Sequence, residues 1–251
     1  MQERHFDTSK YFNEQKLITS KYVIPFIGED IRNKMSVLEI GCGYGGNLAT
    51  FSDMDCQAVG VDISQKSITK AIKLSEENVG FIWNDIFDVG DIGQFDVIMM
   101  RDVLEHIHGH DKLLKLLKSL LKPTGVIFIS FPPWYSPFGG HQQMCESRLL
   151  SAMPYFHLLP RWAYKFILKI FGESETKING LLEIKKTGIT IEKFERLLKA
   201  HDYVIKKKTH YFINPSYEVK FGIKKRVSSK LISWMPYIRD FFITTTYYNI
   251  Y

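Results

Sequence analysis

The sequence predicts an α/β protein built on a doubly wound, mostly parallel sheet, and three observations predict it. Short apolar runs bounded by Gly, Asp or Pro recur through the first half, amphipathic helical stretches separate them, and one run leads directly into a glycine-rich turn. The 251 residues hold no repeat, low-complexity tract or Gly/Ser-rich linker, so one domain over 1–251 is expected, with 132–189 inserted as a helical cap. A hydrophobic share of 45% with 24% charged residues excludes a disordered or collagen-like chain. Runs such as Val126 to Phe131 are far shorter than the roughly 20 residues that cross a bilayer. The opening MQERHFDTSK lacks an apolar signal core, so a soluble, cytoplasmic protein is expected. Cys42, Cys56 and Cys145 are odd in number and show no C-x-x-C spacing, which argues against a disulfide framework or a structural zinc site.

In chain order, YFNEQKLITSKYVIPFI reads as one amphipathic helix from Tyr11 to about Phe26, taken as a core helix. Val37 to Ile40 and Ala58 to Val61 read as buried strands. Gln65 to Asn78 follows the candidate N-cap Ser64 as a helix. Phe95 to Met100 is a further strand. Asp111 to Lys122 places leucines on one face and lysines opposite, a sheet-covering helix stopped by Pro123 and Gly125 before the strand Val126 to Phe131. The rhythm then breaks: Pro132 to Gly188 replaces a short connection with FPPWYSPFGGHQQ and a long aromatic helix pattern. Thr190 caps a helix to about His201, Tyr203 to Ile213 is strand-like, and Phe241 to Tyr251 returns to the sheet.

The chemistry concentrates at Val37-Leu-Glu-Ile-Gly-Cys-Gly-Tyr-Gly-Gly-Asn47, a strand entering a glycine turn and then a helix. Gly41 and Gly43 let a ligand approach the backbone, and the following helix presents free N–H groups. Asp62 closes the next strand, where a carboxylate can accept both hydroxyl hydrogens of a ribose. A nucleoside cofactor is implied. Because Gly41, Gly43 and Gly46 also satisfy G-x-G-x-x-G, a nicotinamide dinucleotide stays open on this pattern; Glu39 suits an ammonium and disfavours a diphosphate.

The set VLEIGCGYGGN, GVDIS (Gly60 to Ser64), NDIFDV (Asn84 to Val89), FDVIMMRDVLEHI (Phe95 to Ile107) and LKPTGVIFIS (Leu121 to Ser130) resembles class I S-adenosylmethionine-dependent methyltransferases in order and spacing. The likeness covers 37–131 strongly and the elements after Thr190 loosely. It implies the Rossmann-like methyltransferase fold with an antiparallel C-terminal strand, S-adenosyl-L-methionine as cofactor and S-adenosyl-L-homocysteine as product. It further implies that Glu39, Gly41, Cys42 and Gly43 surround the methionyl part, that Asp62 holds the ribose and Ile63 lines the adenine. Asp85 accepts from the adenine amino group with Ile86 beside the ring, and Arg101, Asp102 and Val103 form the opposite wall. Arg101 departs from the small or neutral residue common there; it is expected to pair with Asp102 or to reach the cofactor carboxylate. Read without the likeness, Glu39 is also a strand-end ion-pair residue, Asp85 a helix cap and Cys42 a small filler.

Methyl transfer needs a base only for some acceptors. The candidates are Glu105, His106, His108, His110 and His141, and the reading selects His106 or His141 to take the acceptor proton. The alternate spacing in HIHGH fits neither a helix face nor the usual zinc signatures, so no metal is expected.

Charge is divided unevenly: residues 1–159 carry 15 Lys+Arg against 19 Asp+Glu, and 160–251 carry 18 against 8. A basic third can face nucleic acid, anionic lipid or a phosphorylated substrate. Leu158 to Gly172 spaces Arg161, Lys165 and Lys169 four apart among aromatic and aliphatic residues; the expectation is a helix packed on the sheet with three solvated cations, with peripheral membrane contact as the alternative. Trp134, Tyr135, Phe138, Tyr155 and Phe156 suit a small-molecule, glycan or lipid-linked acceptor, with O-methylation preferred. A nucleic-acid methyltransferase is the second reading, weakened because Arg101-Asp102-Val103-Leu104 stands where an N/D-P-P-Y tetrad belongs. A nicotinamide oxidoreductase and a non-catalytic cofactor-binding module complete the alternatives. Oligomeric state is not legible in the sequence.

Overall fold

The protein is described here from a computed structural model, which covers residues 7–28, 31–75 and 78–251. Helix α1 (Thr8–Ile18) begins at Asp7, whose carboxylate accepts from the Lys10 amide at 2.9 Å. It passes through a π-helical turn, Thr19–Val23, into α2 (Ile24–Ile27) and stops at Gly28, φ 78°. The expected amphipathic helix is therefore present, with a widened turn that the apolar pattern did not announce.

The sheet is laid down as β1 (Ser36–Ile40), α3 (Gly46–Ser52), β2 (Gln57–Asp62), α4 (Gln65–Leu74), β3 (Val79–Trp83), β4 (Phe95–Arg101), α5 (His110–Leu120) and β5 (Leu121–Phe131). After the segment 132–189 come α9 (Ile191–Ala200), β6 (Ile205–Ile213), α10 (Ser216–Phe221), β7 (Arg226–Val227), α11 (Lys230–Ser233) and β8 (Thr245–Ile250). The strand order is β3-β2-β1-β4-β5-β8-β6-β7. Strands β1 to β5 pair in parallel, and β8 enters antiparallel between β5 and β6, as expected of the chain end. The order reverses at β1, between β2 and β4, which opens a crevice beyond the carboxyl ends of β1 and β4. Two apolar clusters cover the sheet, one holding Leu38, Ile98, Leu117 and Ile129, the other Val37, Val97, Phe51 and Phe128. Alternate residues of β1, β4 and β5 thus face opposite layers.

One strand and three boundaries differ from expectation. β3 was not anticipated, although its sequence VGFIW is apolar around Gly80; in the folded chain only Val79 of the five is buried. α4 stops at Leu74, with Ser75 already extended, short of Asn78. α5 ends at Leu120, and Leu121 already pairs with Phe95; Pro123 falls within the strand, between that pairing and the one at Val97, where the register shifts and a missing ladder N–H is tolerated. The last strand starts at Thr245, because Arg239–Phe241 forms a helical turn in which Asp240 accepts from the Ile191 amide at 3.2 Å.

The segment 132–189 contains α6 (Arg148–Ala152), α7 (Arg161–Ile170) and α8 (Glu175–Thr187) around their own apolar cluster, which includes Leu150, Tyr164, Leu168 and Leu181. α7 packs chiefly against α8 rather than on the sheet, and it leaves Trp162, Phe166 and Ile170 exposed. The three cysteines are unbridged and buried. Among the described residues no helix is long and apolar enough to cross a membrane.

Candidate active site

Glu39 and Ile40 end β1 and deliver the chain into the turn 41–45, where Gly41, Gly43 and Gly45 adopt φ values of 71°, 55° and 80°. A Cβ on Gly41 would stand 2.4 Å from Val103 Cγ2, so glycine lets the loop after β4 close onto this turn. Asp62 at the end of β2 accepts from the Gly43 amide through one oxygen and from the Ser64 amide through the other, both at 2.8 Å. Each oxygen keeps lone-pair capacity for a hydroxyl donor. Beside this carboxylate lies a cavity of about 540 Å³ bordered by Gly41, Asp62, Ile63, Asp85, Ile86 and Val103. Ile63 is 74% exposed, an apolar side chain left open at a cavity wall, and Trp83 Nε1 donates to its carbonyl at 3.1 Å. Asp85 caps a local turn, accepting from the Phe87 amide at 3.0 Å, while it also borders the cavity. Cys42 is fully buried behind the turn with its thiol toward Gly60, and burial pushes that thiol far above its ordinary range, which makes it an inert filler.

Glu39 is buried, and burial raises its carboxyl to about 8, against the Asn47 hydrogen bond and the Arg101 charge that pull it down. Asn47 Nδ2 donates to Glu39 Oε1, and Thr19 Oγ1 fixes Asn47 by donating to its Oδ1 at 2.8 Å. Glu39 Oε2 is buried without a partner, and so is Arg101 Nη1. No Arg101–Asp102 ion pair occurs among the described residues; the orphaned guanidinium nitrogen instead leaves a donor for an incoming carboxylate. An amino-acid tail, with one ammonium and one carboxylate, would satisfy both orphans, whereas a pyrophosphate would bring no cation to Glu39 Oε2. Sequence reasoning missed Thr19 and Asn47. Asn47 closes the quoted glycine motif and was legible as a polar residue in the first helical turn; Thr19 gave no signal beyond a hydroxyl on a buried helix face.

A second cavity, of about 380 Å³, lies across the loop after β4 and is bordered by Asp102, Glu105, Phe138, His141, Tyr217 and Lys220. Asp102 is held at φ 56°, its amide bonded to the Ser130 carbonyl at 2.9 Å. Desolvation and the neighbouring Glu105 raise its carboxyl, with Arg101 and Lys220 opposing. His141 also has φ 56°, and its Nε2 lies 3.2 Å from Oε1 of the buried Glu105, an ion-pair contact rather than an aligned hydrogen bond. Burial works against charge on His141, but Glu105 outweighs it and raises the imidazole above its ordinary value. His106 stacks edge-on to His141 with ring centroids 4.9 Å apart, borders the first cavity, and is lowered by burial. The two predicted histidines therefore meet between the cavities. Glu105, His106 and His141 each offer one ligand atom within 4.8 Å of the others, a spacing a cation could use, although no metal was expected.

The other two candidate histidines separate cleanly. His110 is buried, bonded to the Leu104 carbonyl at 3.1 Å, and His108 is exposed, 3.5 Å from Glu183. His157, unremarked in sequence, is the scaffold of the His141 loop: its Nε2 bonds the Trp134 carbonyl at 2.8 Å, its Nδ1 meets Gln142 Nε2 at 3.0 Å, and burial drops its pKa to about 4. A Cβ on Gly140 would sit 2.4 Å from His157 Cβ, which explains the glycine before His141. Tyr217 and Lys220 of α10 were also missed, because their stretch carries no motif.

The fold, with its crevice at the strand reversal, is that of the class I S-adenosylmethionine-dependent methyltransferases. A family model described as "Methyltransferase domain" matches residues 14–170, and the chain belongs to that family. A ubiquinone biosynthesis O-methyltransferase of Bradyrhizobium diazoefficiens is 28% identical over 166 residues, 64% of this chain and 63% of that protein. Phosphoethanolamine N-methyltransferase 3 of Arabidopsis thaliana is 31% identical over 109 residues, 40% of this chain and 22% of that protein. The chain spans less than two thirds of the length of these curated relatives. Plantazolicin methyltransferase BpumL, crystallised with a desmethylPZN analog and S-adenosylhomocysteine, shares the fold at a TM-score of 0.53 and 16% identity, covering 99% of this chain and 85% of its own.

Proposed function

We propose that the chain transfers a methyl group from S-adenosylmethionine to a hydroxyl of a small-molecule or lipid-linked acceptor seated beside His141. The donor supplies an activated methyl group; the chain's own residues hold, align and deprotonate. Glu39 and Arg101 take the two charges of the amino-acid tail, with Gly41 and Gly43 giving it backbone access. Asp62 takes the ribose hydroxyls, Ile63, Asp85 and Ile86 the adenine, and Asp102 and Val103 close the opposite wall, while Cys42 only packs behind the turn. The segment 132–189 acts as a cap within a single domain, carrying His141 over the acceptor. The three unbridged cysteines support a reducing, cytoplasmic setting.

The observation that carries the O-directed reading is the Glu105–His141 pair on the wall of the second cavity. A neutral imidazole can accept the hydroxyl proton, and the buried carboxylate stabilises the imidazolium that results. His106, lowered by burial and facing the first cavity, is left to pack against the donor. A cavity of about 380 Å³ suits a ring, a sugar or the head of a lipid rather than a polymer surface. Relatives named as ubiquinone biosynthesis O-methyltransferases favour a hydroxyl acceptor. The test is a screen of phenols, sugars and polyprenyl phenols for S-adenosylhomocysteine release by wild type and His141→Ala. A hydroxyl-methylated product made by wild type and lost in the variant is expected; turnover equal in both enzymes would sink the assignment.

A further inference from the structure

We propose that the stretch from Phe221 to Phe242 is a docking surface for an anionic lipid bilayer. Between Phe221 and Arg239 there are five Lys/Arg and no Asp or Glu. Lys224, Lys225, Arg226 and Lys230 are all exposed, whereas Arg239 is tied to Glu192 at 3.1 Å. Beside these cations Leu231, Trp234, Tyr237 and Ile238 are 70%, 82%, 70% and 52% exposed. That is a dense run of large apolar side chains for a surface that only water touches. The stretch is anchored rather than loose. Glu192 accepts from the Tyr237 amide at 2.8 Å, and Asp240 is buried against the start of α9.

Trp and Tyr beside aliphatic residues and lysines match the headgroup boundary of a bilayer, where aromatic rings anchor and cations meet lipid phosphates. A second copy of the same patch would oppose like charges. Single-stranded RNA would stack on the rings but leave Leu231 and Ile238 without a role. The surface also continues into the wall of the acceptor cavity. Phe221 and Ile223 border that cavity, Phe241 stacks on Tyr135 at 5.2 Å, and Tyr155 donates to the Phe241 carbonyl at 2.7 Å. A docked bilayer therefore lies next to the acceptor cavity, a consequence that rests on the methyl-transfer reading, although docking itself does not.

The other exposed apolar row, Trp162, Phe166 and Ile170 of α7, is the weaker contact, because Lys169 is neutralised by Glu175 at 2.8 Å and Glu183 lies within reach of Arg161. The experiment is co-sedimentation of the full chain with vesicles of phosphatidylcholine alone or mixed with phosphatidylglycerol, at low and high salt. Pelleting only with the anionic vesicles, weakened by salt, is expected. Leu231→Ser/Trp234→Ser and Lys224→Glu/Lys230→Glu each reduce binding by about tenfold or more. Calorimetric binding of S-adenosylhomocysteine stays unchanged in both, which separates this proposal from the donor site. Trp162→Ser/Phe166→Ser/Ile170→Ser loses less. Equal pelleting with both vesicle types, no effect of either double variant, or a larger loss in the α7 variant overturns the proposal. So does self-association or RNA binding that these variants abolish while vesicle binding is absent.

Discussion

A carboxyl group buried with one oxygen bonded to Asn47 and the other bonded to nothing is poised for a cation, and Glu39 makes that visible through protons. Its folded pKa of about 8 lies above the ordinary 4.5. The folded protein therefore holds a proton that the unfolded chain has already lost between those values. Stability from this group is complete below about 4.5 and declines as pH rises toward 8. An ammonium beside Oε2 reverses the preference, so donor binding at neutral pH should release close to one proton. Calorimetry in buffers of different ionisation enthalpy reads this directly, and Glu39→Gln should release none. Asp62→Ala removes a carboxylate that orders the glycine turn and is proposed to hold the ribose; donor affinity should fall about 10- to 100-fold, the range of charged hydrogen bonds. His141→Ala should lower kcat by about 100-fold or more with donor affinity intact, within the usual span of general-base effects. Because Glu105 raises the His141 pKa, kcat should climb with pH along a limb lying above the ordinary imidazole value. Glu105→Gln should move that limb to lower pH; an unmoved limb would remove His141 from the role.

At the level of elements, the site depends on two supports outside the sheet. The π-helical turn after α1 brings Thr19 to Asn47, so Thr19→Val should loosen Asn47 and weaken donor binding by about 5- to 10-fold, the worth of one buried hydrogen bond. The second support is the close contact of Gly140 with His157. Gly140→Ala should cost about 1–3 kcal/mol by overpacking and depress kcat by shifting His141, seen as a lowered Tm together with a loss of turnover. The sequence exposed the parallel core because the centres of β1, β4 and β5 are buried on both faces and read as short, mainly apolar runs, Val97 to Met100 and Val126 to Ile129 above all. The short run VGFIW of β3, interrupted by Gly80, was passed over, and the end of α5 was placed too late because the leucine period runs through Leu121 into the strand. The Thr190 cap and the Ser64 cap were legible because a side-chain oxygen three residues before an amide is a local feature, realised at 3.1 and 3.2 Å.

For the molecule as a whole, two cavities meet at the loop 101–106, and the order of strands explains why. The reversal at β1 opens the first cavity, and the loop after β4 is the partition that a donor and an acceptor seated as proposed would both touch. The residues proposed for the donor side lie within 37–103 in compact motifs, so the crevice they border was legible in the sequence. The acceptor side was not: Glu105 and His141 are 36 positions apart, and Tyr217 and Lys220 arrive from a further element, so only folding assembles them. The positive charge of the last third likewise has meaning only once Lys224 to Lys230 are seen beside exposed Trp234 and Ile238. Titration of S-adenosylhomocysteine into wild type and Asp62→Ala, with NADH injected as the competitor, tests the central claim most directly. One-to-one binding to wild type, strongly weakened in the variant and undisturbed by NADH, is the predicted result. Absence of heat with S-adenosylhomocysteine, or tight NADH binding that Asp62→Ala abolishes, would contradict it.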